Sequence, residues 1–266
     1  VRHSEDHFTL ITAASAQWHD FEVLNAGLPV GVGLTDHTTK YSALIVTGPN
    51  ARDVLTAMGT DADLDLGWLS HQTAMVAGQA CTLLRVSFAG ELGWEIHAEN
   101  AKIPALYEAV IAAGAKPFGM YALNSLRIEK GYRTWKGDLS TDYSLLEGGL
   151  GRFVKLDKPH DFSGKVALQN EKQQGSKKMF VTLIVEAGAS DTPYMSTIWH
   201  KGEVVGETTS GDFGHRVGKS IALGMLRLDL AVAGTEVEVE IFGQRCKAVV
   251  QVDQPLWDPS NARLRG

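Results

Sequence analysis

The apolar pattern of this sequence changes period near residue 177, and few folds accommodate both halves of that change. Before it, short β-branched runs alternate with segments of helical spacing. Phe8 to Thr12 has strand composition, and Trp18, Phe21 and Leu24 then recur at helical spacing behind a possible cap at Ser15. Ala43 to Thr47 reads as a buried strand. Pro49 suits the start of a helix through Val54, Leu55 and Met58, ended by Gly59. Thr73 to Val76 and Cys81 to Phe88 read as strands turning at Gly78. Asn100 caps a helix whose buried stripe is Ile103, Leu106 and Val110, and a further helix spans 119–130 on Met120, Leu123 and Leu126.

The run 169–178 is polar and without apolar period, so it reads as a linker. Beyond it come Met179 to Val185, Glu203 to Val205, Ser220 to Leu226, Glu236 to Ile241 and Ala248 to Val252. All are short β-branched runs parted by glycine-containing turns. In one of them Val237, Val239 and Ile241 alternate with glutamates, as in a half-exposed strand. The expected fold class is α+β, in two parts: a mixed layer over 1–176, and a small barrel or sandwich over 177–266.

Composition narrows the function more than the fold. With 25 basic and 31 acidic residues the net charge is −6, the opposite of the basic footprint of a nucleic-acid binder. No apolar run approaches the roughly 20 residues that cross a bilayer, so no membrane partner is expected. Cys81 and Cys246 lie far apart and read as reduced thiols of a cytoplasmic protein, with a disulfide as the alternative. The chain opens on Val1 with a strand-like run close behind, as though cut from a longer polypeptide. There is no Gly-x-Ser-x-Gly, no phosphate loop and no Gly-x-Gly-x-x-Gly. Nucleophilic, nucleotide-dependent and metal-dependent chemistry are therefore not expected, and no metal ligand is assigned.

The chemistry-bearing groups concentrate between Ser87 and Trp135. In Phe88-Ala-Gly-Glu-Leu-Gly-Trp-Glu95, the glycines serve a tight turn or let the backbone approach a ligand closely. Strand alternation places Glu95 on the face opposite Trp94, where a carboxylate can accept forked N–H donors from an amidine-like ring edge. Arg127 lies at the margin of a helix's apolar stripe. It either makes a buried structural ion pair or orients Glu95 or a ligand carboxylate. Trp135, just past the helix stop at Gly131, either covers the core or stacks on a flat heterocycle.

Six strings in fixed order carry a family resemblance: Gly48-Pro-Asn-Ala51, Gly90-Glu-Leu-Gly-Trp-Glu95, Asn124-Ser-Leu-Arg-Ile-Glu-Lys-Gly-Tyr132, Leu146-Glu-Gly-Gly-Leu150, Phe153-Val-Lys-Leu-Asp-Lys158 and Val205-Gly-Glu-Thr-Thr-Ser-Gly211. In these the chain resembles the aminomethyltransferase family, the T-protein of the glycine cleavage system. It is most similar to the branch that follows a flavin domain in dimethylglycine and sarcosine dehydrogenases. The resemblance implies a folate-binding domain, partial at its N-terminal end, followed by a β-barrel domain, with tetrahydrofolate in a hole between them. It implies that Glu95 receives the pterin N–H groups, that Arg127 supports the site, and that Phe88 and Trp135 line it.

The implied activity is transfer of a one-carbon unit from a methylated amine to tetrahydrofolate, giving 5,10-methylenetetrahydrofolate. Holding the reactive carbon beside the folate amine gains by proximity. FAD is implied only for an upstream flavin domain. The family's catalytic aspartate matches no residue of this sequence, so no catalytic residue is carried over. Asp138 is the one nearby substitute, and it reads better as a loop cap. Two rivals are a folate-dependent transferase of another donor class (glycine cleavage, sulfonium or betaine) and a non-catalytic folate-binding module. Against the last, Lys130-Gly-Tyr-Arg133 lacks the cysteine of that group's Lys-Gly-Cys-Tyr motif.

Overall fold

The computed structural model describes residues 1–266, which divide by contact into two compact units. The first comprises Val1–Ser87, Glu91–Phe118 and Asn261–Gly266; the second comprises Phe88–Gly90 and Gly119–Ser260.

In the first unit, α1 (Gln17–Ala26) precedes β1 (Tyr41–Thr47), α2 (Ala51–Ala57), β2 (His71–Val76), β3 (Gln79–Leu84), β4 (Gly93–Glu99) and α3 (Ile103–Ala112). The strands form one antiparallel sheet in the order β1-β4-β3-β2. One face of that sheet presents Val46, Ala74, Leu83, Trp94 and Ile96 to a core shared with Leu55 and Met58 of the α2 region and Leu106 and Val110 of α3. The expected strands and helices form here with small shifts in their ends. Several expectations fail. Neither Ser15 nor Asn100 caps its helix: α1 and α3 have no side-chain cap, and the Asn100 amide instead accepts from Ser42 and donates to the Thr39 carbonyl. Phe8 to Thr12 makes only an isolated bridge, between Phe8 and Arg2. The helix carrying Trp18, Phe21 and Leu24 forms but buries none of its residues, and Trp18 is 73% exposed. Helical spacing governs the local backbone, but it does not guarantee that a core lies beneath the stripe.

The second unit holds α4 (Met120–Ile128), α5 (Lys165–Gln174), β5 (Lys178–Val185), β6 (Thr197–His200), β7 (Glu203–Gly214), β8 (Lys219–Arg227), β9 (Glu236–Ile241) and β10 (Gln244–Val250). A four-residue helix, α6 (Ala262–Arg265), closes the chain and belongs to the first unit. The six strands close a barrel in the order β10-β5-β8-β7-β6-β9. Its interior is Val181, Leu183, Ile198, Ala222, Val237, Val239, Ala248 and their neighbours. A second cluster, Phe180, Ile221, Leu223 and Met225, uses the opposite faces of β5 and β8 to pack against Ile128 of α4. Residues 220–226 of β8 are therefore all buried, because both faces of the strand are covered.

The barrel follows from period-two alternation, and β9 shows it plainly. The polar run read as a linker is largely α5. Gln, Glu and Lys are good helix formers, and with only Leu168 buried there is little apolar period to read. The sequence reading also misses β6 and shortens β7. The glycines inside β7 look like strand breakers, yet packing demands them: a Cβ at Gly206 would overlap the Met225 carbonyl, and one at Gly211 the Thr192 carbonyl. Gly211→Ala should therefore destabilise the chain by about 1–3 kcal/mol. Gly188→Ala, where a Cβ meets nothing, should stay within about 0.5 kcal/mol of wild type. Urea unfolding of the two variants checks both values.

Candidate functional site

Along β4, Trp94, Ile96 and Ala98 turn to the core and Glu95 and His97 turn to the other face. The sheet register sets Glu95 between Ile45 and Leu84, and His97 between Ala43 and Thr82. Glu95 Oε2 lies 2.8 Å from His97 Nε2, and the two side chains are 24% and 21% exposed. An ionised carboxylate only accepts, so in that state Nε2 carries the ring proton and donates it. Glu95 Oε1 accepts from no group of the chain. Behind this face, Trp94 is fully buried with Arg85 over its ring at 4.6 Å, and its Nε1 has no acceptor.

The remaining expected residues, Phe88, Arg127 and Trp135, belong to the second unit. Phe88 stacks on Tyr132 with ring centres 5.9 Å apart and planes 18° from parallel. Burial raises the pKa of the Tyr132 hydroxyl. Gly90 has φ +75°, and the group that approaches its bare backbone is the stem of Lys130, whose Cγ a Cβ there would overlap. Among the described contacts, that close approach is made by a side chain.

The C-terminal end of α4 departs furthest from the sequence reading. Met120, expected in the buried stripe, is 77% exposed; the helix's buried residues are Ser125, Arg127 and Ile128. Arg127 donates to Asn124 Oδ1, to the Tyr132 carbonyl, to Asp138 Oδ2 at 2.6 Å and to Ser210 Oγ, so the whole guanidinium is engaged. Glu129, two residues beyond Arg127, is fully buried. It accepts from the Arg216 guanidinium and from the backbone N–H groups of Arg216 and Val217. Lys130 donates to the carbonyls of Trp257 and Asp258. Arg127 thus follows the buried structural reading, because loops enclose this end of the helix and supply partners for its charges.

Asp138, the one substitute considered for a catalytic carboxylate, is fully buried and saturated. Its Oδ2 accepts from Arg127 and from the N–H and hydroxyl of Thr134; its Oδ1 accepts from Thr209 and Ser210. It ties the loop 131–138 to α4 and β7. Trp135 rides on that loop with its ring 37% exposed. Sequence reasoning missed His97, although its position two residues after Glu95 was signal enough. It also missed Arg216 and Asp258, whose distance along the chain gave no signal, and left Ser210 of the Val205–Gly211 string without a role.

The expectation of no metal site passes over one His-x-x-x-His spacing, His3 to His7. Those rings stack at 4.7 Å with His71 edge-on to His3, and no group of three ligating side chains is arranged to hold an ion. Cys81 and Cys246 are both free thiols. Two shallow concavities, about 270 Å³ beside Leu10, Ile11 and Val23 and about 230 Å³ beside Lys178, Val204 and Met225, contain none of the expected site residues. No helix is long and apolar enough to cross a membrane.

Comparison with known proteins gives concordant matches. Residues 1–158 match the GCVT N-terminal domain model and residues 178–258 the glycine cleavage T-protein C-terminal barrel domain. The mouse (Mus musculus) mitochondrial dimethylglycine dehydrogenase is 36% identical over 98% of this chain, which spans 31% of that relative. An aminomethyltransferase of Listeria monocytogenes is 32% identical, over 96% of this chain and 70% of its own length. The crystal structure of the glycine cleavage system aminomethyltransferase T from Bartonella henselae superposes with a TM-score of 0.75 at 24% identity, covering 82% of this chain and 60% of that one.

The burial of Asp138 and Arg127 makes their pair asymmetric to mutation. Asp138→Ala leaves a buried guanidinium without its counter-ion and should cost about 3–5 kcal/mol of stability. Urea unfolding followed by circular dichroism gives the value, and a change under about 1 kcal/mol would show the pair to be dispensable.

Proposed function

Because the chain belongs to the glycine cleavage T-protein (aminomethyltransferase) family, we propose that it binds tetrahydrofolate and serves transfer of a one-carbon unit to it from a methylated amine of the dimethylglycine or sarcosine type. The product in this reading is 5,10-methylenetetrahydrofolate. The chain spans about a third of the length of the dehydrogenases it matches, so the complete activity is proposed for a longer assembly. In it, a flavin-binding domain outside this chain performs the oxidation. The choice of donor is supported by similarity: 36% and 37% identity to the mouse dimethylglycine and sarcosine dehydrogenases, against 32% to the Listeria aminomethyltransferase. We also place the boundary between the family's two domains near residue 176, in the gap between the two matched regions.

The observation that carries the reading is the state of Glu95. Its side chain is about three-quarters buried, flanked by Ile45 and Leu84, and has one carboxylate oxygen with no partner in the chain. An enclosed acceptor with spare capacity suits the ring N–H edge of a pterin. In this assignment Phe88 and Trp135 supply flat faces. Arg127 supports the site by holding the loop that carries Trp135, since its own donors are engaged. Bound tetrahydrofolate supplies the amine that accepts the one-carbon unit. The chain's own residues orient it and exclude water, and none is assigned as acid or base, since the one substitute carboxylate, Asp138, is saturated.

Glu95→Ala should weaken tetrahydrofolate binding by an amount on the order of 2–4 kcal/mol, ~30- to ~900-fold in Kd, by leaving ring donors unpaired. Calorimetric titration of the 266-residue chain and its variant measures this, and unchanged affinity removes Glu95 from the site.

A further inference from the structure

We propose that His97 is a positioning residue for Glu95: its Nε2–H holds Oε2 of the carboxylate and leaves Oε1 presented to the ligand. The inference rests on the folate reading above and adds to it a residue that the family motif strings do not contain. Strand alternation puts the two side chains on one face two residues apart, and the 2.8 Å contact between them is the only hydrogen bond the Glu95 side chain makes within the chain. Their cross-strand neighbours Ala43, Ile45 and Leu84 are apolar and Thr82 is uncharged, so no second charge competes for the carboxylate.

A glutamate has three side-chain torsions, and one held by nothing must be ordered when the ligand arrives. A hydrogen bond already made in the free chain removes part of that cost, which is the general benefit of preorganisation. Both side chains are more than three-quarters buried, so water competes weakly for the bond. The residue class that can do this is narrow. It needs an N–H donor of the right reach, two residues along the same strand face, that keeps Oε2 occupied.

The test is a double-mutant cycle on the 266-residue chain, with tetrahydrofolate titration and ligand-free thermal unfolding measured for each variant. His97→Phe should weaken binding about tenfold with the ligand-free melting temperature near wild type. His97→Gln, which restores an N–H donor, should recover most of that loss. In the Glu95→Gln background His97→Phe should cost almost nothing further, because an amide held through its oxygen has no second acceptor oxygen to present to the ligand. If the phenyl ring is not accommodated, His97→Ala takes its place in the cycle. Wild-type affinity in His97→Phe, or a loss that persists undiminished in the Glu95→Gln background, overturns the assignment. Wild-type affinity in Glu95→Gln itself overturns the folate site as read here, and the role of His97 with it, so the two failures are told apart by which variant is silent.

Discussion

The buried charges at the C-terminal end of α4 are the constraint on which the second unit depends. Within four residues, Arg127, Glu129 and Lys130 are all withdrawn from water, and each meets an opposite charge from a different loop: Asp138, Arg216 and Asp258. Desolvating three ions is expensive, and the attraction between partners offsets that cost only when the remaining donors and acceptors are also satisfied. Here they are, through Asn124, Thr134, Thr209, Ser210 and several carbonyls. The loops cannot move independently of the helix without stranding a charge. The network therefore fixes position more than it adds stability.

That rigidity reaches two of the residues assigned to the ligand. The Asp138 end holds the loop that carries Trp135. The Lys130 stem fills the space over Gly90, and Arg216 reaches the carbonyl of Ala89, so the segment bearing Phe88 is held from both sides. In the first unit the corresponding device is simpler. One strand, β4, builds the core with one face and presents Glu95 and His97 with the other, so the registers that bury Trp94 and Ile96 also set the acidic side chain. A one-residue slip would exchange the two faces, which makes the core itself the guardian of the site.

How much of this the sequence discloses depends on the range of the physics involved. Period-two alternation is local, so four of the six barrel strands and the outward turn of Glu95 are legible at once, while β6 and most of β7 are not. The glycines at 206 and 211 are not, because their reason is a carbonyl on a neighbouring segment. The polar α5 lacks the apolar period that announces a helix, and α1 has the period without a core to match. The charges of α4 mislead most. Nothing in the sequence marks Glu129 and Lys130 as buried, and the partners that enclose all three charges lie from 11 to 128 residues away.

Satisfaction, more than chemical identity, then separates scaffold from site. Three carboxylates near the recognised motifs, Glu95, Glu129 and Asp138, look interchangeable in sequence. Glu129 and Asp138 accept on both oxygens from donors inside the chain, and a ligand could reach either only by breaking a buried bond. Glu95 is bonded on one oxygen, about three-quarters buried, and flanked by apolar neighbours that raise the worth of whatever meets the other. Arg127, for the same reason, cannot be both the hub of the network and a hand for the ligand. A carboxylate with one oxygen anchored and one unmatched is the condition under which a polar ligand gains from binding without the fold losing.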